Sequence, residues 1–537
     1  MKKNEFIEGA FIATLAIVVS KCLGLLYVVP FHSIIGEEGG ALYGYAYNIY
    51  NFFLIISTAG IPLAISKLTS EYNALKMDKQ KTYMFKYAKK VIGVFSLIAF
   101  AICFFGSHFI ANLIVGDLTN GNSVEDVSLV IKCVSFSILI VPVLSITRGY
   151  MQGHKFIAPP AFGQIIEQLV RVVVIILGSY VSLRVLGSTV PQAVGVALLG
   201  SCLGGAISYI YLYSRMRKVK DQIFVKEEEV TKEEKKSILK KLIGYCIPFI
   251  IINVANSVYN SIDMILVIRG LNHLGYAAKD IETISSVFTT WGCKLVSIVT
   301  SIATGLVISL IPSIVDAYTK KNMDDVNMYF NKTLQVLLYL ILPLSIFLSI
   351  FSKQVWSIFY GESFYGPLIF KYTILVAVLD SAYIMICSAL QGLSKTKLIY
   401  TACGVGLVTK TVLDLPLMYL FDKLGIYPFY GAILATTIGY ILSLAIPLVV
   451  LHKKYKFDYS KTIKTLPKLL LNIAILVIAC LLIRNLISNV TGRLNLLFLL
   501  ALIGISCAVI YFFLNRTLIV DLIGDKLNKF KRKKNKK

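Results

Sequence analysis

The sequence predicts an all-α integral membrane protein of about 14 transmembrane helices, built as two pseudo-symmetric six-helix bundles plus two C-terminal helices. Three observations predict it. Hydrophobic residues make up 57% of the 537 positions and charged residues only 15%, more apolar side chain than a soluble core can hide. Apolar stretches close to the roughly 20 residues that cross a bilayer recur along almost the whole chain. Lys and Arg outnumber Asp and Glu by 54 to 29, and the cations gather in alternate loops.

The first six spans fall at 8–30, 42–66, 89–114, 127–150, 160–183 and 189–213. Six more follow at 238–268, 283–312, 332–352, 367–390, 398–421 and 429–451, and a last pair at 465–487 and 494–515. The first stretch follows Lys2 and Lys3 as a signal peptide would, but it carries Lys21 in its middle and lacks a small-residue cleavage site, so it counts as a span. With the N-terminus inside, the inward segments 1–7, 67–90, 148–158, 214–241, 313–332, 391–397, 452–468 and 516–537 hold 41 basic residues. The outward loops hold seven: Arg184, Arg269, Lys279, Lys353, Lys423, Arg484 and Arg493. That asymmetry places both termini in the cytoplasm. Glu37, Glu38, Asp117, Glu125 and Asp126 in the first outward loops agree.

The net charge of +25 therefore reads as membrane orientation, and no nucleic-acid partner is expected. The basic tail ending in Lys529–Lys537 is expected to lie on anionic lipid headgroups. All ten cysteines fall inside spans and none forms a CxxC pair, the pattern of small core residues and not of disulfides or metal ligands.

The charge run at 214–241 divides six spans from eight and reads as a cytoplasmic connector. The expected organisation is a bundle at 1–213, a connector at 214–237, a second bundle at 238–451, two further helices at 452–515 and a basic tail at 516–537. Internal likeness supports two repeats. Gln152-Gly153 with Lys155 matches Gln391-Gly392 with Lys395, and on that register Arg171 falls on Lys410. Tyr87–Val91 similarly matches Tyr329–Thr333, and Ile65–Tyr72 matches Ile311–Tyr318. Six being even, the repeats enter in the same orientation, a plan that places substrate between the halves and works by rocking one against the other.

Six cations remain inside spans: Lys21, Lys132, Arg171, Lys294, Lys371 and Lys410. Lys132 and Lys371 lie near the outer ends and can snorkel. The other four sit near mid-span, where a charge costs about 2.5–3.5 kcal/mol and marks a cavity or a partner. Glu167 with Arg171, and Lys410 with Asp414, are spaced i, i+4, which fits either a structural ion pair or a paired charge facing a cavity. Lys21 and Lys294 have no acid within one turn and are the cations expected to meet an anionic ligand, although Asp380 is a candidate partner for Lys21 on another helix.

Polar stripes surround them. Asn253, Asn256, Asn260 and Asp263 follow one face of the seventh span, and Lys294, Ser297, Ser301 and Thr304 repeat the spacing in the eighth. Gln164, Glu167, Gln168 and Arg171 share a side of the fifth, and Asn48, Asn51 and Thr58 mark the second. Interhelical hydrogen bonding explains one such stripe, and several together suggest a hydrated cavity. Tyr43, Tyr47 and Tyr50 follow one face of the second span, favouring an aromatic belt at the outer interface over sugar stacking. No phosphate-binding loop or H-E-x-x-H appears, and the histidines at 32, 108, 154, 273 and 452 are scattered, so no enzyme is expected.

Ser20-Lys21-Cys22-Leu23-Gly24 with Tyr27, Pro30 and Gly36 resembles the S-[RK]-x-L-G-x-x-Y-x-x-P first helix of stage V sporulation protein B and YtgP-like polysaccharide biosynthesis proteins. Those belong to the MurJ-related branch of the multidrug/oligosaccharidyl-lipid/polysaccharide (MOP) exporter superfamily, whose fold is MATE-like. The likeness includes Ala59-Gly60-Ile61-Pro62, Gln152-Gly153 and Ile311-Pro312-Ser313 with Tyr318. The resemblance implies a bacterial plasma-membrane flippase for undecaprenyl-diphosphate-linked cell-wall precursor, lipid II foremost. It implies cavity roles for Lys21 and Lys294 and a lipid-tail groove at 465–515. Gram-negative members carry an Arg-Asp pair where Tyr27-Val28 stand here and a further Arg near Leu54, and they have Arg at both lysine positions. Lysine binds phosphate as a point charge without the bidentate fork.

The expected mechanism draws a diphosphate toward Lys21, Lys294, Arg171 and Lys410, with Asn48, Asn51, Asn253, Asn256, Asn260, Ser297, Ser301 and Glu167 lining the cavity. No cofactor is expected beyond membrane potential or a coupling ion near Asp380, Asp263 or Asp414. Expected partners are the polyprenyl-linked glycan, anionic lipid and cell-wall synthesis enzymes. The alternatives are an exporter of another lipid-linked polysaccharide, a cation-coupled multidrug antiporter, a non-transporting scaffold for wall synthesis and, least favoured, a membrane glycosyltransferase.

Overall fold

A computed structural model describes residues 20, 23–24, 27–58, 61–116, 121–223, 230–393, 395–486 and 492–516, and these are almost wholly helical. Eleven helices among them are long and apolar enough to cross a membrane. That number is consistent with the expected fourteen: most of the 8–30 span lies outside the described residues, the 42–66 span falls on two successive helices, and the 238–268 span lies within a 42-residue helix. The chain forms two compact units, Met1–Trp291 and Gly292–Lys537.

The first unit holds α1 (Val28–Thr58), α2 (Ile61–Ala74), α3 (Asp78–Phe105), α4 (Ser107–Val115), α5 (Val124–Gly153), α6 (Ala158–Val185), α7 (Val190–Lys218), α8 (Lys232–His273) and α9 (Ala278–Ser286), which continues through a wide turn at Val287–Trp291. α5 is its axis, packing along α1, α2, α3, α4 and α7. A capping box starts α5, with the Ser123 hydroxyl accepting from Asp126 N at 3.1 Å and Glu125 and Asp126 complementing the helix dipole. Thr189 with Gln192 caps α7, and Thr231 with Glu234 caps α8. At Gly36, α1 kinks with φ 67°, a backbone that glycine adopts without strain.

Pairs of small residues four apart bring these helices together. A Cβ on Gly149 would lie 2.5 Å from the Pro62 carbonyl oxygen, and one on Gly153 would lie 2.5 Å from Thr69 Cβ. Ser70 Oγ donates to Gly153 O at 3.0 Å across the same seam. Pro62 of the AGIP motif and Gly153 of the Gln-Gly motif thus both lie on the seam where α5 crosses α2. Gly40 and Gly44 likewise accept the Thr289–Trp291 turn, and Thr290 Oγ1 donates to Gly40 O at 2.8 Å. Such contacts are how helices associate where lipid removes the hydrophobic drive.

The charged stretch between α7 and α8 is anchored at both ends of its described part. Ile223, Val230, Ile238 and Leu242 are buried in one core with Leu68, Tyr72, Met84, Phe85 and Tyr150. Tyr150 Oη donates to Ile223 O at 3.2 Å, Gln80 Nε2 to Glu234 Oε1 at 2.7 Å, and Lys241 pairs with Glu71 at 2.8 Å.

His154 closes α5 beside this core. Its Nδ1 meets Asn73 Nδ2 at 3.3 Å, its Nε2 is buried without a partner among the described residues, and Lys81, paired with Asp78, lies near. Burial first, and then the Lys81 charge, push the imidazole down to about 4 from 6.5, against a smaller opposing effect of Asp78. The folded state keeps His154 neutral where the unfolded chain takes up a proton, so stability is lost as pH falls from about 6.5 toward 4. Melting temperature is expected to drop between pH 7 and pH 5, and His154→Asn is expected to flatten that dependence.

The second unit holds α10 (Gly292–Thr319), α11 (Met323–Ile350), α12 (Ser352–Tyr360), α13 (Tyr365–Gly392), α14 (Thr396–Lys423), α15 (Phe429–Tyr455), α16 (Ser460–Leu486) and α17 (Arg493–Leu514). Here α13 is the axis, and α14 lies along α15 so closely that a Cβ on Gly431 would be 2.5 Å from the Leu417 carbonyl. α16 and α17 attach to α11 and α12, and they leave Leu471, Leu482, Leu494, Phe498 and Ile505 exposed. Exposed apolar surface of this kind belongs in hydrocarbon.

Candidate functional site

In the first unit the mid-span cation lies within a network. Glu167 on α6 bridges two arginines: Arg171 Nη2 meets its Oε1 at 2.5 Å, and Arg148 Nη2 of α5 meets its Oε2 at 2.7 Å. The same Arg148 nitrogen reaches Ser208 Oγ of α7 at 3.0 Å, and that hydroxyl donates to Gly163 O at 2.7 Å. Gln168 Oε1 accepts from Arg171 Nη1 at 3.4 Å. Glycines allow this geometry, since a Cβ on Gly204 would lie 2.5 Å from the Glu167 carbonyl and one on Gly200 3.0 Å from that of Arg171.

The Glu167–Arg171 pair is therefore formed as its spacing predicts. The sequence does not single out Arg148, because it falls in the inward segment 148–158 and counts there as a loop cation. The capped helix runs on to Gly153 and encloses it. The position of an arginine one residue before a Gly-x-x-x-Gly pair was the available signal.

Tyr43, Tyr47 and Tyr50 of α1 interact electrostatically with Arg171. Tyr43 and Tyr50 are buried, at 3% and 2% exposure, and Tyr43 stacks on Tyr47 with ring centroids 5.5 Å apart. The expected aromatic belt is thus corrected: these rings turn into the bundle, where an aromatic stripe serves protein contact as readily as an interface. Asn48 Nδ2 donates to Gly44 O of its own helix at 2.9 Å, and Asn51 is half-buried. Asn253, Asn256, Asn260 and Asp263 all lie on α8, where Asp263 is half-buried and the three asparagine side chains fall outside the described residues. Lys21 also lies outside them, and so does any pairing of it with Asp380.

In the second unit Lys410 and Asp414 are buried on α14, at 1% and 0% exposure. Asp380 of α13 accepts from Tyr440 Oη of α15 at 3.0 Å and interacts electrostatically with Lys410. Lys410 thus occupies in α14 the place of Arg171 in α6, with its acid one turn later instead of one turn earlier. Each helix pair is fastened by a serine, Ser443 Oγ donating to Ala402 O at 2.9 Å and Ser208 Oγ to Gly163 O at 2.7 Å, although only the two acceptors correspond on the repeat register.

Lys294 is half-buried on α10. The Ser297 hydroxyl donates to its carbonyl at 2.7 Å and the Ser301 hydroxyl to Ser297 O at 2.6 Å, so the expected polar stripe is bonded along its own helix. An apolar cavity of about 510 Å³ between α13, α14 and α15 is lined by Tyr372, Leu379, Phe421 and Leu434, and none of the residues singled out from the sequence lines it. No group of three or more metal-ligating side chains occurs among the described residues.

Intramembrane cations beside hydroxyl groups can hold an anion inside a membrane. The polysaccharide biosynthesis protein family model matches residues 6–278, and the MatE family model matches 248–415. The lipid II flippase MurJ of Bacillus subtilis (strain 168) is 31% identical over 484 residues, covering 89% of this chain and 88% of that protein. Stage V sporulation protein B of the same organism is 24% identical over 364 residues, 68% of each chain. Among solved structures, a lipid II flippase MurJ in an inward closed conformation superposes with a TM-score of 0.68 at 18% identity, covering 95% of this chain and all of that one. An inward-facing multidrug resistance MATE family transporter of the MOP superfamily gives 0.62 at 16% identity, covering 84% and 99%. This chain is a multi-pass membrane protein that belongs to the MurJ-related branch of the multidrug/oligosaccharidyl-lipid/polysaccharide exporter superfamily.

Proposed function

We infer that this chain is a flippase that carries an undecaprenyl-diphosphate-linked cell-wall precursor, lipid II foremost, from the inner to the outer leaflet by alternating access. The observation that carries the reading is 31% identity to lipid II flippase MurJ across 88% of that protein. The intramembrane cations support it, because Arg171 and Arg148 share the single Glu167 carboxylate and a diphosphate headgroup is a further anion for them to meet. In this reading Lys21, Lys294, Arg171 and Lys410 neutralise the headgroup while the prenyl tail stays in lipid along 465–515. Both termini face the cytoplasm, as the 41 inward cations favour. Alternating access rests on the two six-helix halves, 1–213 and 238–451. Coupling comes from membrane potential, about 2.3 kcal/mol per charge per 100 mV, or from an ion at Asp380, Asp263 or Asp414.

Purified protein in liposomes is expected to move lipid II across the bilayer, and other polyprenyl-diphosphate sugars more slowly. Equal movement of unrelated lipid-linked glycans would broaden the substrate, whereas drug efflux without lipid movement would overturn the reading. Reconstitution is preferred to gene deletion because redundant flippases would mask a loss.

A further inference from the structure

The geometry points to a second role for the Glu167 bridge: Arg148, Arg171 and Tyr50 form a phosphate-binding site that Glu167 occupies as an internal counter-ion until a phosphate-bearing ligand displaces it. This rests on the flippase reading and adds to it a ligand residue, Arg148, and a guard, Glu167.

The charge balance comes first. Two guanidinium groups, both always ionised, share one carboxylate, so among the described residues the cluster carries one positive charge in excess within a span. The donors come next. Each arginine meets Glu167 through a single nitrogen, Nη2, although a guanidinium presents five N–H groups in a fork that suits phosphate bidentately. The Nε atoms of Arg148 and Arg171 are buried with no partner among the described residues. Tyr50 adds a buried hydroxyl that is also without a partner, and it interacts electrostatically with both Arg171 and Glu167.

Access supports the same assignment. The Arg148 and Arg171 side chains are 20% and 17% exposed while Glu167 is 9% exposed, so the cations present more surface to a ligand than the acid does. A bridge serving only to hold α5 against α6 would be expected to use the forks fully and to close them off. Three elements bring charged or titratable groups to Glu167, Arg148 from α5, Arg171 from α6 itself and Tyr50 from α1, and the neutral Ser208 hydroxyl of α7 accepts from Arg148. A phosphate entering here keeps the arginines paired and leaves Glu167 as the group that must find a new partner or a proton.

Calorimetric titration of the purified full-length protein in detergent, with inorganic pyrophosphate and separately with undecaprenyl diphosphate, tests this. Glu167→Gln removes the competing carboxylate and is expected to tighten pyrophosphate binding at least tenfold. Arg148→Gln and Arg171→Gln are each expected to weaken it at least tenfold, with Arg148→Lys in between. Unchanged or weaker binding by a folded Glu167→Gln protein overturns the proposal, as does unchanged binding by Arg148→Gln, which keeps the Glu167–Arg171 pair and remains informative where Glu167→Gln does not fold. If pyrophosphate follows this pattern and undecaprenyl diphosphate does not, the site serves a free phosphate. The titration needs no transport: binding that depends on Arg148, Glu167 and Arg171 as expected in a protein inactive toward lipid II removes the flippase reading alone, and flipping without such dependence removes this proposal alone.

Discussion

Protein carrying Lys294→Ala, reconstituted at wild-type density, is expected to flip lipid II at least tenfold more slowly, and Lys21→Ala is expected to do the same. A charge-assisted hydrogen bond is worth about 1.5–3 kcal/mol. Where it is made to a headgroup crossing the membrane, its loss slows transport by roughly one to two powers of ten. Lys294→Arg is expected to retain most of the rate, because the charge persists and the fork is added. Lys132→Ala removes an exposed cation of α5 and is expected to leave the rate unchanged. Ser297→Ala and Ser301→Ala are expected to cost little, since both hydroxyl protons are engaged by carbonyls of α10. Full flipping by Lys21→Ala and Lys294→Ala at normal expression would remove the cationic-site mechanism.

The helical architecture was legible because hydropathy over about 20 residues reports directly on bilayer crossing. α5, α7 and α13 to α17 fall where the apolar stretches put them. On the register that sets Arg171 against Lys410, Gly163 falls on Ala402, and each of these carbonyls accepts a serine hydroxyl from the following helix. The triad was legible only by half. A spacing of four residues reveals Glu167 with Arg171, because one helix fixes that distance. Arg148 joins from another helix, 19 residues before Glu167, and no local period encodes such a meeting. A cation count that treats spans as ending at fixed hydropathy also assigns Arg148 to the cytoplasm, so the method that oriented the chain concealed a half-buried charge at the end of a span.

The tyrosines fail for a different reason. Period alone places Tyr43, Tyr47 and Tyr50 on one face of α1 without saying whether lipid or protein lies opposite. The answer is in the adjoining glycines: Gly40 and Gly44 let the Thr289, Thr290 and Trp291 side chains close against α1, and a helix that admits such an approach is surrounded by protein there. Glycine pairs four apart also mark α5 and α7, so the contact surfaces were written in the sequence even though their partners were not.

Those pairs give the second large effect: Gly149→Val is expected to destabilise the folded protein by about 3 kcal/mol, the upper end of ordinary overpacking. A Cβ at 149 would stand 2.5 Å from the Pro62 carbonyl oxygen and 2.7 Å from its Cα, both backbone atoms of α2 that have no rotamer by which to retreat. α5 and α2 must then move apart, breaking the neighbouring Ser70–Gly153 hydrogen bond. Gly93→Val and Gly404→Val are the matched controls, since a Cβ there meets nothing within 4 Å and valine is the better helix former. They are expected to melt at or slightly above the wild-type temperature in detergent, and Gly149→Val well below it. The residue before Gly149 is Arg148, so displacement of α5 also shifts a guanidinium relative to Glu167 on α6. Gly149→Val is accordingly expected to lose flipping at temperatures where it is still folded, whereas wild-type melting or wild-type transport by this variant would show that the α2–α5 approach is looser than 2.5 Å implies.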